Sequence, residues 1–337
     1  MSKIYFIFYK TNYLLFKYKI KRQFSFRPYI ISIGNITAGG TGKTPMIITI
    51  SELLSQANFN HAIISRGYKR KNKKTIIQSS QHVNNKIEDL GDEPFFLSQK
   101  LPRIPIVVGN KKNAINACLK AFKYKIMLID DGFQSLSIKR DCDIVLIDLS
   151  RKISEYELLP IGLLREPLKN ISRANVIIFT KSNHDQGDGE KIQTLVKSFI
   201  DFNKTAVFKS KLLSDLKKYS FKKNMFINHK TLFDKKVVAF CGVAKPLIFN
   251  QLTKSYCKKT TPVLNFPDHC CYEREEVSKI KEELRRIEGS AILTTMKDFY
   301  KVYRSFQGYD IYIIEIYHAI EKPELFKALL LNKISTN

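Results

Sequence analysis

Ile31-Ser-Ile-Gly-Asn-Ile-Thr-Ala-Gly-Gly-Thr-Gly-Lys-Thr-Pro45 sets a short β-branched run against a glycine-rich turn, and the apolar run Met46–Ile50 follows it. Strand, flexible loop and helix N-terminus in that order are the parts of a phosphate-binding loop. Thr37, Ala38, Gly39, Gly40, Thr41, Gly42, Lys43 and Thr44 are the candidate cradle. Its backbone N–H groups and the positive end of the new helix would face a polyphosphate. Lys43 would reach the outer phosphates and the Thr44 hydroxyl would bind Mg²⁺. The strict pattern G-x-x-x-x-G-K-[ST] asks for glycine where this chain has Thr37.

Outward from the loop the pattern is α/β. Strands are expected at Ile30–Ile33, His61–Ser65, Pro105–Gly109, Ile126–Ile129, Ile144–Ile147 and Val176–Phe179, with helices over Thr44–Asn58 and Lys111–Phe122. Such apolar strands alternating with helices indicate a parallel sheet covered on both faces. Ser182–Glu190 is polar and reads as a boundary loop. The Lys-rich stretch 191–235 shows weak periodicity and no clear elements. A second α/β series then runs through Val237–Cys241, Pro246–Tyr256, Thr261–Phe266, Tyr272–Ile287, Ala291–Thr294, Ile311–Ile316 and Pro323–Leu331. The expected organisation is an N-terminal helix over 1–27, a phosphate-loop domain over 28–183, a connecting segment over 184–235 and a smaller α/β lobe over 236–337.

The chain has 337 residues, 44% of them apolar, with only 14 Gly and 11 Pro, so it can bury real cores and is not a disordered chain. Its net charge of +26 predicts attraction to an acidic partner such as anionic lipid, nucleic acid or a phosphorylated substrate, though abundant Lys, Asn and Ile also fit a general compositional bias. None of the six cysteines forms a C-x-x-C pair, which suits reduced thiols in a cytosolic compartment. In residues 1–22, Lys3, Lys10 and Lys17 recur every seven positions among aromatic and aliphatic residues, and the uncharged runs are too short to span a bilayer. Two readings stay open: a helix lying in the membrane interface, or an amphipathic helix packed on its own domain.

Four further stretches carry chemistry. Lys125-Ile-Met-Leu-Ile-Asp-Asp-Gly-Phe-Gln134 puts Asp130 and Asp131 at the C-terminal edge of a buried strand, where an acid holds Mg²⁺ in phosphate-loop enzymes. In Leu90-Gly-Asp-Glu-Pro94, Asp92 or Glu93 either caps a helix begun near Pro94 or accepts a proton from a substrate hydroxyl. Leu158-Leu-Pro-Ile-Gly-Leu-Leu-Arg-Glu-Pro167 offers Arg165 for bidentate phosphate binding and Glu166 for metal or lysine, or else a structural ion pair. Phe266-Pro-Asp-His-Cys270 supplies an Asp-His pair that could orient a base.

These stretches, with Ser65-Arg-Gly-Tyr68 and Thr294-Thr-Met-Lys-Asp298, resemble in their order the tetraacyldisaccharide 4′-kinases of lipid A assembly. Thr37 is that family's form of the loop. The resemblance implies two α/β/α lobes, the first a P-loop NTPase-like parallel sheet, with the active site in the cleft between them. It also implies transfer of the γ-phosphoryl of ATP, with Mg²⁺, to the 4′-hydroxyl of an acylated glucosamine disaccharide 1-phosphate. The place implied is the cytoplasmic face of the inner membrane, with a lipid partner, no nucleic acid, and a monomeric enzyme. Asp92 matches the family's catalytic base and His269 its partner. Lys43 and Arg165 stand at the phosphates, and Thr44, Asp130, Asp131 and Glu166 around the metal. Arg66 and Gln134 are the candidate substrate contacts. Three departures stand out: Ser135 and Cys270 where histidines are common, and Ile153-Ser-Glu-Tyr156 where a Gly-Asn-Gly element is usual. A phosphate-loop kinase of a soluble metabolite is the alternative.

Overall fold

A computed structural model describes residues 2–80, 86–258 and 260–336. The chain folds as two compact units, Met1–Leu212 with His318–Asn337, and Leu213–Tyr317. The first unit holds α1 (Ser2–Lys17), β1 (Tyr29–Asn35), α2 (Lys43–Gln56), β2 (His61–Ser65), β3 (Ile76–Gln78), α3 (Ile87–Leu90), α4 (Asp92–Lys100), β4 (Ile106–Val108), α5 (Lys111–Ala121), β5 (Ile126–Asp130), β6 (Cys142–Asp148), β7 (Val176–Thr180), α6 (Gly189–Lys197) and the start of β8 (Ala206–Ser220). Its strands lie in the order β3-β4-β2-β5-β1-β6-β7-β8, parallel throughout except for β3.

Alternation along β1 explains how the sheet is covered. Ile31 and Ile33 pack with Met46, Ile47, Ile50 and Leu54 of α2, whereas Ile30 joins Ala114, Ile115 and Cys118 of α5 on the opposite face. Residues two apart on a strand point to one side, and helical spacing gives α2 a matching stripe. Each such buried aliphatic side chain contributes about 2 kcal/mol, so Ile50→Asp should unfold this layer. With the strands parallel, the phosphate loop, Arg66, Asn110, Asp131 and Lys181 all follow the C-terminal ends of strands, the edge where open α/β sheets bind ligands.

The second unit contains β9 (Met225–His229), β10 (Val237–Cys241), α7 (Pro246–Tyr256), β11 (Val263–Asn265), α8 (Arg274–Arg286), β12 (Ala291–Thr295), α9 (Met296–Val302) and most of β13 (Asp310–Ile320). Strands β11-β10-β12-β13 pair in parallel, and β9 pairs antiparallel with the end of β8. The last helix, α10 (Pro323–Ser335), belongs to the first unit, where Phe326 and Leu330 join the core of Ile31 and Ile33.

This division differs from the expected boundaries. The span 184–235 holds α6, β8 and β9, and residues 318–337 pack with the first unit instead of the C-terminal lobe. In β8 exposed Lys209 and Lys211 alternate with buried Ser210 and Leu212, so the strand has the right period but polar Ser210 stands at a buried position and hides it.

Candidate functional site

Asn35 ends β1, and the loop after it turns through Gly39 at φ 91 and Gly42 at φ 88, the left-handed region that glycine enters without strain. Gly42 is the N-cap of α2, so Lys43 and Thr44 are its first two residues. Their amides have no intrahelical acceptor and stand at the positive end of the helix dipole. The loop carbonyls are held from the sheet side. Arg151 Nη2 donates to Ala38 O at 2.7 Å, Lys181 Nζ to Gly40 O at 2.9 Å and Thr180 Oγ1 to Thr41 O at 3.2 Å. Asp148, wholly buried, anchors both cations, 2.7 Å from Lys181 Nζ and 3.7 Å from Arg151 Nε.

The tip of β5 meets this loop. Arg165 forks onto Asp131, Nη1 to Oδ2 at 3.0 Å and Nη2 to Oδ1 at 2.9 Å, and also reaches the carbonyl and side-chain oxygens of Asn35. Lys43 Nζ lies 3.2 Å from Asn35 Oδ1 and 3.5 Å from Asp131 Oδ1. Burial opposes ionisation of Asp131, but the Arg165 hydrogen bond and the charges of Lys43, Arg165 and Lys111 outweigh it and hold the carboxyl well below the usual range. Half-buried Lys111 donates to Asp131 O and, at 2.8 Å, to Ser135 Oγ; desolvation brings its ammonium down to about 8 despite the nearby aspartates.

Asp130 behaves differently. It is 5% exposed, one oxygen accepts from Ser65 Oγ at 2.9 Å, and Oδ1 is buried without a hydrogen-bond partner among the described residues. Burial first, then the charge of Glu93, raises its carboxyl to about 6 against the pull of Lys43. A buried anionic oxygen lacking a donor suits a cation. Mg²⁺ takes one or two carboxylates and completes its shell with phosphate oxygens and water.

Glu166, expected near the metal, is buried and fully engaged by protein donors. Gln134 Nε2 donates to Oε1 at 2.8 Å; Arg173 Nη1 lies 3.0 Å from Oε2, which also accepts from the Tyr9 hydroxyl at 2.8 Å and Asn170 Nδ2 at 3.1 Å. Gln134 additionally donates to Asn35 O at 2.9 Å, so this candidate substrate contact ties Glu166 to the end of β1. Tyr9 fastens α1 to the first unit.

Asp92 is the first residue of α4, with Gly91 as the cap, so neither Asp92 nor Glu93 is the N-cap; both are partly exposed. Arg66 is exposed after β2. The structure thus brings Lys43, Asp130, Asp131 and Arg165 together, and couples Glu166 with Gln134. In the second unit His269 takes a left-handed backbone at φ 63, with Nε2 3.7 Å from Asp268, which is 3.2 Å from Lys297 Nζ. Sequence reasoning passed over Asn35, Lys111, Arg151, Lys181 and Tyr9. For Asn35 and Lys181 a signal existed: a polar residue at, or one past, the end of a buried apolar strand.

The family described as tetraacyldisaccharide-1-P 4′-kinase (LpxK) matches residues 1–335. The tetraacyldisaccharide 4′-kinase of Elusimicrobium minutum is 32% identical over 327 residues, 94% of this chain and 85% of that protein. The protein of the same name from Halothermothrix orenii is 30% identical over 317 residues, 90% of this chain and 82% of its own. A crystal structure of LpxK from Aquifex aeolicus in complex with ATP superposes with a TM-score of 0.74 at 25% identity, covering 99% of this chain and 97% of that one.

Proposed function

We propose, for a chain that belongs to the tetraacyldisaccharide-1-P 4′-kinase family, that its first unit holds ATP and Mg²⁺ and transfers the γ-phosphoryl to the 4′-hydroxyl of a tetraacyldisaccharide 1-phosphate in lipid A assembly. The observation that carries this reading is Lys43 beside Arg165-bound Asp131 and the unpartnered oxygen of Asp130, all at one sheet edge. Phosphoryl transfer has a loose transition state, so the protein supplies alignment and charge neutralisation more than covalent chemistry.

The loop amides and Lys43 bind the β- and γ-phosphates. Thr44 and Asp130 are the residues that would hold Mg²⁺, which when bound neutralises charge on the phosphate oxygens. Arg165, its fork held by Asp131 and Asn35, contributes its positive charge beside the transferred group. Glu166 serves the protein donors around it and so orients the loop carrying Arg165. Asp92 takes the acceptor proton, Arg66 contacts the substrate, and His269 serves the acceptor side. The +26 charge and α1 hold the enzyme on the anionic cytoplasmic face of the inner membrane, where the acceptor resides. No helix among the described residues is long and apolar enough to cross a membrane, which is consistent with attachment from one side.

Purified protein, ATP, Mg²⁺ and disaccharide 1-phosphate in mixed micelles should yield a product one phosphate heavier. Asp92→Ala and His269→Ala should lose turnover yet retain nucleotide binding. Full activity of the Asp92 variant would remove it as the base, and phosphorylation of a soluble sugar in preference to the lipid would overturn the acceptor.

A further inference from the structure

One buried imidazole meets the phosphate loop at the carbonyl of its last glycine. His318 is 4% exposed near the end of β13. Its Nε2 lies 3.1 Å from Gly42 O, and its Nδ1 lies 3.1 Å from Ser210 Oγ in β8. A carbonyl oxygen only accepts, so Nε2 carries the proton and donates to Gly42, leaving Nδ1 to accept from the Ser210 hydroxyl. The approach is close because Gly42 is bare: a Cβ there would stand 2.3 Å from Nε2. Burial lowers the imidazole to about 4, so it stays neutral near pH 7 beside Lys181 and Asp148.

A trans peptide is planar, with its C=O and N–H pointing in opposite directions. Gly42 O also accepts the first helical hydrogen bond, from Met46 N at 3.2 Å, so Met46 and His318 hold it together and aim the Lys43 N–H the opposite way, toward the helix N-terminus. The same reasoning applies to Arg151 on Ala38 O, Lys181 on Gly40 O and Thr180 on Thr41 O, which aim the amides of Gly39, Thr41 and Gly42. Three of these four braces belong to the strand ends and loops beside the site. The fourth comes from the segment that returns to this unit after residue 317.

We propose that His318 is a positioning residue for the phosphoryl donor: by fixing the Gly42–Lys43 peptide it sets the amide and the lysine that meet the outer phosphates. The proposal rests on the loop binding ATP. Binding of Mg·ATP and of AMP to the full chain is measured by titration calorimetry for wild type, His318→Gln, His318→Leu and Ser210→Ala, with thermal midpoints followed alongside. Leucine keeps the bulk and loses the donor. It should weaken ATP roughly threefold to tenfold, the effect of one net hydrogen bond, and leave AMP within twofold. Glutamine, whose amide can donate to Gly42, should recover most of the loss. Ser210→Ala frees the tautomer and should weaken ATP selectively but less. Wild-type ATP affinity in His318→Leu, or equal loss for ATP and AMP, overturns the proposal. If His318→Leu does not fold, Ser210→Ala decides: selective weakening of ATP supports the role and no change refutes it. Wild type that binds no Mg·ATP would refute the assignment of the loop itself.

Discussion

Asp130→Asn should stabilise the metal-free protein while abolishing its reaction. The Asp130 carboxyl is raised from the ordinary 3.8 to about 6, chiefly by burial and then by Glu93. Below pH 4 folded and unfolded chains both hold this proton and nothing is lost. Between pH 4 and 6 the unfolded chain releases it and the folded chain does not, so stability falls as pH rises and stays reduced above 6. At about 1.4 kcal/mol per pH unit the gap corresponds to about 3 kcal/mol. Asparagine has the same shape, carries no charge and still offers an oxygen to Ser65 Oγ. Allowing roughly 2 °C per kcal/mol in a chain of this size, the variant in EDTA at pH 7.5 should melt about 5 °C above wild type, and at pH 4.5 the two should converge. Added Mg·ATP should raise the midpoint of wild type only. A variant that melts lower at pH 7.5 refutes the buried-charge argument. One that melts higher yet is still stabilised by Mg·ATP and turns over refutes Asp130 as the metal's residue.

Arg165→Lys keeps the charge but loses the fork onto Asp131 and Asn35; turnover should fall ~10²-fold or more with ATP affinity less affected, read from kcat and KM separately. Gly42→Ala combines a positive φ with a Cβ that meets His318, so it should weaken Mg·ATP at least tenfold and cost about 1–3 kcal/mol in denaturant unfolding. Tyr9→Phe removes a hydroxyl that donates to Glu166 at 2.8 Å and accepts from Asn170 at 2.6 Å. Turnover should drop by roughly threefold to tenfold while flotation on anionic vesicles is unchanged, since the ring and the lysines of α1 remain. Loss of flotation with normal turnover would reverse the assignment.

The strands and the candidate site differ in what makes them readable. A strand buried on both faces must be apolar along its whole length, and a loop that wraps phosphate must be rich in glycine; each requirement is met within a few neighbouring residues. That is why the run Ile126–Ile129 and the Thr37–Thr44 loop stand out in the chain itself. The support of the site obeys no such local requirement. Tyr9 meets Glu166 across 157 positions and His318 meets Gly42 across 276, and any hydroxyl or imidazole in the chain is equally suited before folding selects one. Glu166 shows the consequence. Its charge, beside Arg165 and after the aspartates, suggests a metal ligand, because residue type reveals that a buried anion must be compensated and not by what. Gln134, Tyr9 and the turn carrying Asn170 and Arg173 supply that compensation from three separate places in the chain. Asp130 Oδ1 has no such company. Of the two buried carboxylates, the one left short of donors is therefore the one on which the cation should depend.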